Sequence, residues 1–162
     1  MRINLRYLPK SLTSKDKKSQ LKELIKSRKL YKKGKYYTRK NKSSFKSKKS
    51  HYITDAEKIY KVDSIGPTPA LAKATGCSKT ALSKIVKKGQ GAYFSSGSRP
   101  NQSAQAWGFA RLASAITAGK AAAVDYNILE KGCKHNSKAL SLAKKAKRKY
   151  GLGTRRVPKV KI

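Results

Sequence analysis

The chain has 162 residues, room for one modest domain, and carries 41 Lys and Arg against 7 Asp and Glu, a formal net charge of +34. A free-standing globule with that imbalance repels itself, so the composition points to a large anionic partner. No apolar run approaches the length of a membrane span, the N-terminus lacks a signal-peptide core, and the few scattered acids offer no carboxylate pair for catalysis.

The charge is uneven along the chain. Residues 1–50 hold 19 Lys and Arg against 2 acids, and residues 131–162 hold 12 against none. Residues 89–130 come to only +1. A nearly neutral, Ala-rich segment between two cationic ones reads as a core with basic arms, which bury too little apolar area to order themselves alone. The expected fold is mainly α, with a small helical core at about 54–150 and long extended basic N- and C-terminal arms. The expected division is 1–50 as a basic arm with one docking helix, 51–150 as the helical domain, and 151–162 as a basic tail.

In chain order, residues 1–10 read as an extended basic strand. Thr13 or Ser14 caps a helix to about Lys33, with Leu21, Leu24 and Ile25 as an apolar docking stripe and Gly34 as the stop. Residues 35–50 have no period, and Tyr36, Tyr37 and Phe45 sit among cations, as in a linker or strap. Thr54 and Glu57 have capping-box spacing for a helix through Ile59 and Tyr60. Residues 70–75 and 79–88 read as two short helices around Gly76-Cys77-Ser78, the second ended by Gly89-Gln90-Gly91. A Gly/Ser loop at 95–98 leads to the best helix, 101–118, with Trp107 as core anchor. Asp125 caps a helix through Ile128 and Leu129, and Ser137 one to Tyr150 ended by Gly151. The closing TRRVPKVKI is another basic strand.

Three patterns bear on chemistry. Ala72, Gly76, Leu82 and Ile85 have helix-turn-helix spacing, and the second helix would present Ser78, Lys79, Thr80, Ser83 and Lys84 outward. It has no Asn, Gln or Arg for base edges there, which favours an ordinary helical hairpin. The cations of the two ends form the expected polyanion-binding set: Lys15, Lys17, Lys18, Lys22, Lys26, Arg28, Lys29, Lys32, Lys33, Lys35, Arg39 and Lys40, then Lys144, Lys145, Lys147, Arg148, Arg155 and Arg156. Most are lysines, flexible point charges suited to bulk neutralisation rather than forked recognition. Tyr7, Tyr31, Tyr36, Tyr37 and Tyr52, interleaved with them, offer rings for stacking on bases or capsid side chains. The loop GQGAYFSSGSRPNQ is rich enough in glycine and serine to cradle a phosphate, but lacks the Walker ending. His51 and His135 have no evident carboxylate partner, and Cys77 and Cys133 read as free thiols of a reducing compartment rather than a zinc set. No catalytic, cofactor or metal residue is expected.

The stretches ELIKSRKLYKKGKYYTRK and LAKATGCSKTALSKIVKKGQ onward, and above all GSRPNQSAQAWGFAR from Gly97 to Arg111, resemble an uncharacterised basic domain family of large double-stranded DNA viruses, of the chlorovirus and mimivirus-like kind. The resemblance covers about residues 5–145 and implies a place in the virion. The function expected from it is that of a minor capsid protein, a non-enzymatic cement beneath or between capsomers. Its partners would be the major capsid protein and other minor capsid proteins. The alternative is a virion protein that binds or condenses viral double-stranded DNA, with a helix-turn-helix at 70–88.

Overall fold

The computed structural model describes residues 1–151 and 158–161. These are mainly helical, with one short two-stranded sheet. In chain order they form β1 (Arg2–Asn4), α1 (Ser14–Tyr31), α2 (His51–Tyr60), α3 (Pro69–Thr75), α4 (Lys79–Ser95), α5 (Ala104–Ala115), α6 (Lys120–Val124), α7 (Tyr126–Gly132), α8 (Lys138–Tyr150) and β2 (Lys159–Lys161). Two compact units result. The first comprises Met1–Lys48, Gln90–Trp107 and residues 158–161; the second comprises Lys49–Gly89 and residues 108–151. Helices α4 and α5 each contribute to both, α4 dividing after Gly89 and α5 after Trp107.

The second unit holds the larger helical core, although residues 90–107 of the expected 54–150 stretch belong to the first unit instead. Thr68 caps α3 by accepting from the Leu71 amide at 3.2 Å, and Pro69 stands where an amide hydrogen would be orphaned anyway. Gly76 ends α3 at φ 74, a left-handed conformation that costs glycine little. Ser137 caps α8 in the same way. Leu71, Leu82, Ile85, Leu112, Ile116 and Leu129 are fully buried. Alanines fill the gaps between them and allow α8 to pack on α6 and α7. Tyr60 reaches into this core, where burial pushes its phenol pKa up and its hydroxyl donates to the Ile116 carbonyl at 2.5 Å.

Several expected boundaries shift, each for a tertiary reason. α4 does not stop at Gly89-Gln90-Gly91 but runs on to Ser95. A Cβ on Gly89 would lie 2.6 Å from the Gly108 Cα, so this glycine admits a helix crossing rather than ending a helix. α2 begins at His51, three residues ahead of the Thr54 capping box. α5 spans Ala104–Ala115 rather than 101–118. Asp125 precedes α7 as expected, yet its side chain caps nothing, because both its oxygens go to Arg111, at 2.8 Å each.

Cys77 and Cys133, expected to be free, are joined by a disulfide across 56 residues. They face each other in an isolated antiparallel bridge, in which the Ser78 amide donates to the Gly132 carbonyl at 2.7 Å and the Lys134 amide to the Gly76 carbonyl at 2.8 Å. The turn between α3 and α4 is thereby tied to the turn between α7 and α8.

In the first unit, residues 1–48 do not trail as an arm. Ile3, Tyr7, Leu8 and Leu24 form a second, smaller buried cluster, with Leu21 and Trp107 packed against it. Trp107 therefore anchors this cluster, half-buried, with its ring edge-on to Tyr7 at 6.2 Å. Gly97, at φ 129, lies so close to Leu24 and Tyr7 that a Cβ there would come within 2.8 Å of Leu24 Cδ2. Of the basic strands expected at the termini, three residues at each end, Arg2–Asn4 and Lys159–Lys161, pair antiparallel with Ile3 opposite Val160, while Leu5–Tyr7 turns into a short 3-10 helix. Residues 152–157 and 162, and with them Arg155 and Arg156 of the expected binding set, lie outside the described residues.

Candidate polyanion-binding surface

α1 displays the first block of cations. Thr13 Oγ1 accepts from the Asp16 amide at 3.2 Å to start the helix, and Arg28 and Lys29 suit the negative end of its dipole in the last turn. One narrow stripe is turned inward: Gln20, Glu23, Leu24 and Ser27 are buried. Leu24 is thus core rather than a free docking residue, while Leu21 and Ile25 remain half-buried. The other faces carry Lys15, Lys17, Lys18, Lys22, Lys26 and Lys29, all exposed, and Lys32, Lys33, Lys35 and Lys40 are exposed beyond the helix. In the second unit, α8 exposes Lys144, Lys145, Lys147 and Arg148 opposite its buried Leu140, Ala143 and Ala146.

Two members of the expected set are spent inside the fold. Arg39 is only 6% exposed. Its guanidinium donates to the Ser27 hydroxyl (3.1 Å), the Tyr93 carbonyl (2.8 Å) and the Ser98 hydroxyl (2.9 Å). Within the loop GQGAYFSSGSRPNQ, the Tyr93 carbonyl and the Ser98 hydroxyl are thus turned to the protein's own arginine rather than left for a phosphate. Arg28, half-buried, donates to the Ser96 carbonyl at 2.9 Å and the Arg2 carbonyl at 3.4 Å.

Residues 35–48 are irregular and are strapped down by side chains that sequence reading did not single out. Glu23 takes the Lys42 ammonium, the Tyr37 hydroxyl (3.0 Å) and the Lys40 amide (3.1 Å). Burial pushes the Glu23 carboxyl up, but these three donors outweigh it and hold the pKa below its ordinary value. Asn101, at φ 61, accepts from the Lys42 amide and donates to the Lys42 (3.0 Å) and Phe45 (2.6 Å) carbonyls, so its amide clamps backbone it does not neighbour in sequence. Asp16 accepts from the Ser44 hydroxyl (2.5 Å) and amide (3.0 Å), which hold its carboxyl below the ordinary range. Two acids, Asp16 and Glu23, standing among the lysines of α1 were the sequence signal for this strap.

The acids' engagement has an electrostatic consequence. Among the described residues, ion pairs involve Lys42, Lys49, Lys88, Arg111 and the His51–Asp55 contact at 3.3 Å. None of these cations belongs to the exposed set on α1 and α8. Among the described residues those surface lysines have no ion-pair partner. Asp55, four residues on in the same helix, is a carboxylate partner of His51 that the sequence reading overlooked.

The helix-turn-helix shape is present in α3 and α4, with Leu82 and Ile85 fully buried and Lys79, Thr80 and Lys84 exposed. Ser78 caps α4 through the Ala81 amide (3.1 Å), and Ser83 is half-buried. A shallow depression of about 330 Å³ lies beside it, lined by Ser78, Thr80, Lys84, Asn127 and Lys131 among others. Among the described residues no group of three or more His, Cys, Asp or Glu side chains converges, and no helix is long and apolar enough to cross a membrane.

Fold and surface together define a mainly helical, lysine-covered protein in which Asp16, Glu23 and Asp125 are turned to internal partners. Over residues 5–136 the chain matches the model of a family of unknown function (DUF5824), and it belongs to that family. No curated protein and no solved structure matches it.

Proposed function

We propose that the chain is a non-enzymatic structural protein of a large DNA virus particle, a minor capsid protein that binds the acidic side of the shell beneath or between capsomers. The observation that carries this reading is the exposed lysine set of α1 and α8, which has no acidic partner among the described residues. Such a surface is stable in company with a polyanion and self-repelling without one. The preformed fold adds support, because rigid lysine faces dock with less ordering entropy than free arms would. The viral setting is supported by the resemblance of Gly97 to Arg111.

The test is fractionation of opened particles. The protein is expected with the emptied shells, and a Lys17→Glu/Lys18→Glu/Lys22→Glu variant is expected to stay folded yet fail to incorporate. Recovery with the released genome overturns the shell reading.

A second reading, binding of duplex DNA in the virion, is favoured by one arrangement: the α3–α4 hairpin with exposed Lys79, Thr80 and Lys84 beside Lys131. Under it, duplex affinity falls with a log–log salt slope of about −0.9 per phosphate neutralised. Lys84→Ala/Lys131→Ala would lower that slope by about two.

A further inference from the structure

We propose that Tyr31 and Tyr36, with the lysines around them, form a base-stacking site for single-stranded nucleic acid at the C-terminal end of α1. The inference is independent of the shell reading. Its starting point is an anomaly of exposure. Among the described residues the exposed large hydrophobic side chains are Met1, Tyr31 at 37% and Tyr36 at 73%. Two of the three are neighbours.

The fold brings them together deliberately in geometric terms. α1 ends at Tyr31, and Gly34 reverses the chain at φ 72. The turn is held by the Gly34 amide donating to the Tyr31 carbonyl and the Lys35 amide to the Leu30 carbonyl, both at 2.9 Å. Tyr36 thus returns beside Tyr31, ring centroids 6.1 Å apart, and rests on Phe94 at 5.0 Å with the rings tilted by 41°. Phe94 supports Tyr36 from within the same unit while most of the tyrosine stays in solvent. A continuous aromatic row results, Tyr31–Tyr36–Phe94, with Tyr36 as its open member.

The surroundings select the occupant. Lys29, Lys32, Lys33 and Lys35, which flank Tyr31 and Tyr36 in the chain, are exposed and have no ion-pair partner among the described residues. Open rings for bases and point charges for the backbone are the two components of sequence-tolerant single-strand binding. Duplex bases are already stacked on one another and would leave the rings unused. An acidic polypeptide would engage the lysines alone.

The experiment measures binding of the full chain to a short oligothymidylate, to an abasic oligonucleotide of equal length and charge, and to an oligoglutamate. The unmodified protein is expected to prefer the thymidylate over the abasic strand by about fivefold or more, with quenching of tyrosine emission only by the base-bearing strand. Tyr31→Ala/Tyr36→Ala should remove that preference while leaving affinity for the abasic strand unchanged, and Tyr36→Phe should keep it. Lys32→Ala/Lys33→Ala/Lys35→Ala should weaken both strands equally. Equal binding of base-bearing and abasic strands by the unmodified protein overturns the proposal, as does tighter binding of oligoglutamate. Neither outcome depends on a variant that folds.

Discussion

The guanidinium carbon of Arg39 stands 3.9 Å from the centroid of the Tyr93 ring, and the same arginine donates to the Tyr93 carbonyl while its backbone amide donates to the Tyr93 hydroxyl at 3.0 Å. One side chain from an irregular strap and one from a helix thus hold each other at both ends. Burial pulls the arginine's pKa down, with the neighbouring Tyr93 and Glu23 opposing. The planar fork satisfies two hydroxyls and a carbonyl at once, which a lysine cannot reproduce. Arg39→Lys should therefore destabilise the first unit by about 1–3 kcal/mol. Urea titration followed by Trp107 fluorescence reads this directly; an unchanged midpoint would show the strap to be ornamental.

Glu23 makes the same unit sensitive to acid. Its folded-state pKa lies below the ordinary 4.5, so on acidification the unfolded chain takes up the proton first. The stabilisation is complete above pH 4.5 and disappears as the pH falls through the folded-state value. Asp16, held down by Ser44, acts in the same direction. Glu23→Gln should flatten the acid limb of stability against pH. At neutral pH it should cost about 3 kcal/mol, because Lys42, 4% exposed, is left without its counter-charge. Thermal melts from pH 7 to pH 3 would display both effects.

The disulfide gives the second unit a different dependence. Closing a loop across 56 residues restricts the unfolded chain by about 4 kcal/mol on a chain-entropy basis. Cys77→Ser/Cys133→Ser should lower the melting temperature of this unit. Dithiothreitol should lower that of the unmodified protein and leave the variant alone. If reductant shifts both equally, the bridge is not the cause.

Gly89 offers a sign test of the helix crossing. Alanine normally improves a helix interior by about 1 kcal/mol over glycine. Here the added methyl meets the Gly108 Cα at 2.6 Å and Arg111 Cβ at 3.2 Å, so Gly89→Ala should destabilise instead. A gain in stability by calorimetry would mean that α4 and α5 do not approach this closely.

Local signals were legible where the chemistry is local. Thr13 and Ser137 act as caps, Gly76 ends α3, and α8 has the bounds that Ser137 and Gly151 mark. The lysine faces of α1 and α8 are exposed as composition implies. What spacing could not reveal was which polar residues face inward. Arg39 looks like any cation of a basic stretch, and Asn101 like the first residue of a helix, until the strap and the loop after α4 come together.

Sequence alone therefore determined the helical class, several helix ends and a strongly cationic surface, because capping, periodicity and net charge depend on near neighbours or on totals. Only the tertiary structure decided that residues 1–48 pack rather than trail, that α4 continues past two glycines, and that the cysteines pair. Those outcomes depend on contacts between residues tens of positions apart, where one well-placed carboxylate or a missing methyl outweighs local preference.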